Sequence, residues 1–151
     1  MEPLWRAGHS LTLFCYAACM WPPQYRGFWR GETSCRTVAE QYRHGRVVLG
    51  LNNQRSGMDG RDKTYMTSMQ TFEAPAYGKP FLAAHSDAYE RLGFIHGEHM
   101  AWVERPEDAL AWAERLLCAE GVRIARQGRN FVLARHTYAH RLASLAEAVL
   151  G

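Results

Sequence analysis

Apolar residues along the chain come in short runs separated by glycine, proline and capping residues, and the spacing inside each run predicts its element. Residues 3–8 read as a short turn closed by Gly8. Across residues 9–16, Leu11, Leu13 and Phe14 cluster around Thr12, which predicts a short buried strand. Residues 17–32 carry Pro22, Pro23, Gly27 and Gly31 among the rings of Trp21, Phe28 and Trp29, the pattern of an irregular loop held by aromatic packing. Ser34 stands where an N-cap belongs and predicts a helix over 35–44 that ends at Gly45. The run Arg46-Val47-Val48-Leu49-Gly50-Leu51 is nearly all apolar, as a strand buried on both faces would be.

Further along, strands and helices alternate. Residues 52–61 form a polar loop with glycines, and Asp62 can cap a helix whose apolar positions Tyr65, Met69 and Phe72 recur at i, i+4 and i+7. Pro75 should interrupt or restart that helix, and Gly78 should close it. Residues 80–84 predict the next buried strand, Ser86 caps a short helix near 89–92, and residues 100–103 make a fourth short strand. Pro106 followed by Glu107 and Asp108 is a favourable helix start, with Ala109, Trp112, Ala113, Leu116 and Leu117 as the buried face. A second helix is expected over about 122–135, and a third from Thr137 that buries Tyr138, Leu142, Leu145 and Val149. Alternation followed by helices predicts an α/β fold: a Rossmann-like three-layer domain with a mostly parallel sheet and a helical C-terminal third.

Composition narrows the class. At 151 residues with 47% hydrophobic and 22% charged residues, the chain can bury one sizeable core and is not a disordered segment. The longest nearly uncharged stretch, 10–25, is shorter than the roughly 20 apolar residues of a membrane span and contains Pro22 and Pro23. Glu2 and Pro3 occupy the place of a signal peptide's positive region, so a cytoplasmic location is expected. The net charge of +3 rests on sixteen arginines and only Lys63 and Lys79. The arginines are dispersed without a nucleic-acid-binding motif, which speaks against a nucleic-acid partner. Arg123, Arg126 and Arg129 read as one exposed helix face. Cys15, Cys19, Cys35 and Cys118 form no CxxC pair and read as reduced thiols, and His96-Gly97-Glu98-His99 reads as a solvated turn, so no metal site is expected.

Two features have the makings of chemistry. The loop containing Asn52, Asn53, Arg55, Arg61 and Lys63 leaves a strand and opens on a helix start, where free backbone N–H groups and cations favour an anion. It has no GxGxxG and no P-loop, so it is not a dinucleotide or Walker site. The other is Glu73, next to a position on the core face. A carboxylate there needs a partner, either an arginine or the vicinal hydroxyls of a ligand such as a ribose.

The segment Gln70-Thr71-Phe72-Glu73-Ala74-Pro75-Ala76-Tyr77-Gly78-Lys79-Pro80-Phe81-Leu82 resembles the R-x-F-E-x-x-A-x-G-x-x-L-L block of GT-B glycosyltransferases, in the group 1 C-terminal domain and its CgeB/YkvP spore-maturation branch. In order along the chain, Val48-Leu49-Gly50-Leu51-Asn52 resembles the preceding I-x-L-N strand, residues 94–99 the F-x-x-G-x-E turn, and residues 106–110 the P-E-E-L helix start. Residues 128–141 are similar to the closing G-x-x-x-V-x-x-x-H-T-Y-x-x-R.

The resemblance covers about 9–150, best from 47 onward. It implies one GT-B C-terminal domain over 1–151, with 46–151 as the better-matched part. Such a domain binds a nucleotide-diphosphate sugar without a metal or other cofactor. Glu73 would hold the donor ribose, with Asn52, Asn53, Arg55, Arg61, Lys63 and Gln70 toward the diphosphate and sugar. Gln70 stands where the family has arginine, and Tyr65 where related families have an earlier glutamate. The resemblance also implies that an N-terminal acceptor domain and this domain's first strand lie outside the chain, so no catalytic residue is assigned and self-association through an apolar face near Trp5, Trp21 or Trp29 is a further expectation. The alternative is a non-catalytic nucleotide-binding or regulatory module of the same fold.

Overall fold

The computed structural model describes residues 4, 6–13, 22–31, 34–50 and 67–150. It divides into two compact units, Met1–His44 and Gly45–Gly151.

In the first unit Gly8, at φ +81°, lets the His9 N–H turn back onto the Leu4 carbonyl at 3.1 Å, which ends the opening turn as expected. The strand expected over 9–16 reduces, among the described residues, to a single parallel bridge between Leu13 and Trp29. Leu13 donates to the Phe28 carbonyl at 3.0 Å and accepts from the Arg30 N–H at 2.9 Å. The expected irregular loop before Glu32 contains a 3-10 helix, Pro23–Phe28, opened by proline and anchored by buried Tyr25. Helix α1, Cys35–His44, starts as expected: the Ser34 hydroxyl accepts from the Thr37 N–H at 3.3 Å.

The second unit holds a three-stranded parallel sheet in the order β1 (Val48–Gly50), β2 (Phe81–Ala84), β3 (Ala101–Val103). Among the described residues this sheet has three strands, and the 9–16 run contributes none of them. The strand around 46–51 is also less buried than its apolar run suggested. Among the described residues it stands at the edge of the sheet and only Gly50 in it is buried, whereas β2, between β1 and β3, buries Phe81, Leu82 and Ala83. A two-residue link, 85–86, leads to helix α3, Asp87–Arg91, where Ser86 Oγ accepts from the Ala88 N–H at 3.3 Å.

Of the helix expected from Asp62, the described residues show helix α2, Gln70–Ala76; Asp62 and Tyr65 lie outside them. Thr67 and Ser68 are not helical: Thr67 Oγ1 bonds Thr71 Oγ1 at 2.6 Å, a local side-chain contact of the kind that competes with helix propagation. Pro75 neither interrupts nor restarts α2. It lies inside the helix, fully buried, one residue before its end. Gly78, at φ +70°, then closes it through Gly78 N–H to Pro75 at 2.7 Å and Lys79 N–H to Ala74 at 3.0 Å.

After β3 a 3-10 turn, Pro106–Asp108, leads into α4, Ala109–Leu116, followed by α5, Ala119–Arg135, and α6, Tyr138–Leu150. α2 lies against β1 and β2, α4 against β2 and β3, and α5 packs on both α2 and α4. Arg115 ties the α4–α5 corner with two bonds to Glu120 at 2.6 and 2.9 Å. The architecture is α/β and Rossmann-like, with a helical C-terminal part.

One expectation fails clearly. Tyr138, Leu142, Leu145 and Val149 share a face of α6, yet they are 75, 64, 60 and 71% exposed. Helical periodicity tells which residues stand together, not whether a neighbour covers them. Of the tryptophans named as candidates for an apolar face, Trp29 is half-buried, and Trp5 and Trp21 lie outside the described residues. An exposed apolar stripe is on α6.

Candidate functional site

Because the strands are parallel, the chain leaves all three on one edge of the sheet, and each following segment begins there. β1 gives way to residues 51–66 and then α2; β2 to residues 85–86 and α3; β3 to the 3-10 turn and α4. That carboxyl edge is where open α/β sheets take their ligands. Gln70 opens α2 and is exposed; Glu73, one turn later, is half-buried. The Glu73 N–H donates to the Met69 carbonyl at 3.0 Å, and its own carbonyl accepts from Tyr77 at 3.0 Å, so its backbone is held at both ends. Gln70 and Glu73 therefore stand together at i and i+3 on one helical face. Asn52, Asn53, Arg55, Arg61 and Lys63 lie outside the described residues.

Behind this helix start, segments far apart in sequence meet in a cluster of rings. Phe94 stacks on His136 at 5.5 Å between centroids, meets Phe131 edge-on at 5.0 Å and lies 6.0 Å from Phe72. His99 stacks on Phe131 at 4.1 Å. The Arg141 guanidinium sits 5.4 Å from the centroid of the Phe72 ring and donates to His136 Nδ1 at 2.9 Å. Gly128 permits α5 to approach the His99 carbonyl, with no room for a Cβ. Three of the sequence segments singled out above, 70–82, 94–99 and 128–141, thus pack into one nucleus around Phe72, the residue preceding Glu73.

The turn leaves His96 exposed and His99 half-buried, in keeping with a solvated turn, and both histidines pin it. His96 Nδ1 accepts from the Trp102 N–H at 3.1 Å, and His99 Nδ1 accepts from the Ile95 N–H at 3.2 Å. Gly97, at φ +73°, allows the reversal between them. Among the described residues no three His, Cys, Asp or Glu side chains are placed to hold a metal ion. Arg123, Arg126 and Arg129 are exposed, as expected of a solvated face.

Burial pushes the pKa of His96, His99 and His136 below the ordinary imidazole value. For His96 the charges of Arg115 and His85 add to it. For His99 Arg135 adds while Glu98 opposes. For His136 Arg141 is the next contributor. The fold therefore favours neutral rings, and the unfolded chain binds more protons once the pH drops below about 6.5. Stability contributed by these rings is complete above pH ~6.5 and is lost as pH falls through their lowered values. The urea midpoint should hold steady from pH 8 to 7 and decline between pH 6.5 and 5, above the range where carboxylates titrate. A midpoint that stays flat or rises over that interval would remove the acceptor roles assigned to these rings.

Sequence reasoning missed a second feature, an open cleft of about 420 Å³ beside β3 lined by His96, Trp102, Glu104, Arg105, Asp108 and Trp112. Trp112 reads as core from its helical spacing, and nothing in the spacing links residues 96, 102, 105 and 112.

A family described as glycosyl transferase-like matches residues 1–147. Comparison with curated proteins found no match, and comparison with solved structures found none. The parallel sheet, its carboxyl-edge helix start and a family match across almost the whole length agree: this chain belongs to the glycosyl transferase-like family.

Proposed function

We propose that this glycosyl transfer domain binds a nucleotide-diphosphate sugar at the carboxyl edge of its sheet. The observation that carries the reading is Glu73, set in the first turn of a helix that opens on that edge. Its two carboxylate oxygens suit the two hydroxyls of a ribose. Gln70, one turn earlier, and Asn52, Asn53, Arg55, Arg61 and Lys63 from the preceding loop would face the diphosphate and sugar. Helix-start N–H groups and these cations would stabilise the diphosphate as its bond to the anomeric carbon breaks and the acceptor oxygen takes that carbon, without a metal. With the reading go the CgeB/YkvP branch, a cytoplasmic site of action, and an acceptor and catalytic base supplied by a partner domain. No described helix is long and apolar enough to cross a membrane.

Calorimetry with uridine and guanosine diphosphates and their sugars tests the proposal. Binding is expected, and Glu73→Ala should weaken it by ~1–3 kcal/mol, the worth of one or two hydrogen bonds to a charged group. A folded protein that binds none of these ligands would sink the donor reading. An affinity unchanged by the substitution would remove Glu73 from it.

Gln70 in place of the family arginine favours a second reading, a nucleotide-binding module without transfer activity. Donor binding with no sugar transfer when an acceptor domain is supplied would select it.

A further inference from the structure

The cleft beside β3 is built from elements other than the one carrying Glu73: it draws on β3, the 3-10 turn and α4, whereas α2 lies against β1 and β2. It is open to solvent and encloses about 420 Å³ between its walls.

Several contacts hold its walls in place before any ligand arrives. Arg105 grips Asp108 through Nε and a terminal nitrogen at 3.0 and 2.9 Å, with Glu107 3.9 Å away. The Arg115 guanidinium lies 3.9 Å from the centroid of the Trp112 ring, and the His96 ring meets Trp112 edge-on at 4.5 Å. Trp102, almost fully buried, lies 4.8 Å from His96 and 5.7 Å from Tyr89. Because His96 Nδ1 accepts the Trp102 N–H, the neutral ring carries its hydrogen on Nε2 and is a donor there.

The charge and polarity of the lining select a ligand class. Glu104, Glu107 and Asp108 gather around the Arg105 guanidinium, and the Arg115 guanidinium beside Trp112 is paired with Glu120, so carboxylates outnumber cations and this rim repels phosphates. An ammonium ligand would meet the Arg105 charge. Carboxylate acceptors alternate with Arg105 and His96 donors beside two indoles. That mixture suits a ligand whose every hydroxyl both donates and accepts and whose ring presents apolar C–H groups to an aromatic surface.

We propose that this cleft is a saccharide-binding site, with Asp108 and Glu104 accepting from sugar hydroxyls and the indole of Trp112 packing on the sugar ring. The site is distinct from the donor site and does not depend on nucleotide binding at Glu73.

The test follows indole N–H resonances in ¹⁵N-labelled protein. The chain has five tryptophans, and Trp102→Phe and Trp112→Phe assign the two in the cleft. Methyl glycosides of glucose, galactose, mannose and N-acetylglucosamine are titrated into the millimolar range. At least one should shift the Trp112 indole along a saturable curve, and Asp108→Asn should weaken that binding about tenfold, the loss of one charge-assisted hydrogen bond. Uridine diphosphate should leave the resonance in place. No saturable shift from any glycoside, in protein whose spectrum is that of a folded chain, overturns the proposal. So does tetramethylammonium binding more tightly than every glycoside. Running the glycoside series on Glu73→Ala separates the two sites: shifts that persist there support the cleft whatever the fate of nucleotide binding.

Discussion

Gly128→Ala is expected to destabilise the 45–151 unit by about 3 kcal/mol or more, the upper end of what forced overpacking costs. A Cβ at position 128 would run into the His99 carbonyl oxygen, come within 3.1 Å of its carbon and stand 3.4 Å from the Pro75 Cβ. A flexible side chain could swing aside, but here the obstacle is backbone, and it is held from several directions. The His99 ring is stacked on Phe131, one turn further along the same helix as Gly128. The His99 N–H bonds the Ile95 carbonyl at 3.0 Å, and its Nδ1 accepts the Ile95 N–H. Pro75 is fully buried. Relief therefore requires α5 to back away from the 94–100 turn, which would also part the ring cluster behind α2.

Gly27→Ala is the matched control. No atom lies within 4 Å of the added Cβ and no positive φ is required, so a change within about 0.5 kcal/mol is expected. Urea unfolding of both variants at pH 7.5 makes the comparison. A Gly128→Ala midpoint equal to that of the parent protein would mean that the α5 contact yields without cost.

How far the fold can be read from the sequence depends on where its information is local. Caps and stops are local. Ser34 and Ser86 accept from the amides expected of them, and Gly8 and Gly78 take the left-handed conformations their places demand. The parallel order of β1, β2 and β3 follows from strands separated by helices. Burial is not local, and there the reading failed: the α6 stripe has core spacing but an uncovered face. Nor does spacing show that His96 and His99, in a turn that stays partly solvated, bond backbone amides. The site divides the same way. That Glu73 and Gln70 share one helical turn is legible from their spacing. The cleft is not, since it joins residues from a turn, a strand and two helical segments whose proximity exists only after folding.

Phe94→Ala should cost about 3–5 kcal/mol, as large aromatic truncations in packed cores do. Phe94 is 3% exposed, and its ring touches partners from three other stretches of chain: Phe72 on α2, Phe131 on α5 and His136 at the α5–α6 junction. The cost of such a deletion rises with the cavity that remains, and this one has little means of closing. Phe131 is held by its stack on His99. His136 is tied by its N–H to the Val132 carbonyl at 2.8 Å and by its Nδ1 to Arg141. Phe94 itself is fixed to Tyr89 through a 2.9 Å backbone bond beside Gly93, at φ +81°, so the chain cannot slide another group into the gap. Phe94→Leu, which refills part of the volume, should recover about half of the loss. Because typical domains are stable by only ~5–15 kcal/mol, the alanine variant should unfold at a much lower urea concentration while the leucine variant remains measurable. The ring cluster also includes Phe72, the residue before Glu73, so under the proposed donor reading Phe94→Leu should weaken nucleotide binding less than Glu73→Ala does, acting through helix position instead of through a lost hydrogen bond. An alanine variant within 1 kcal/mol of the parent protein would show that the nucleus of the unit lies elsewhere.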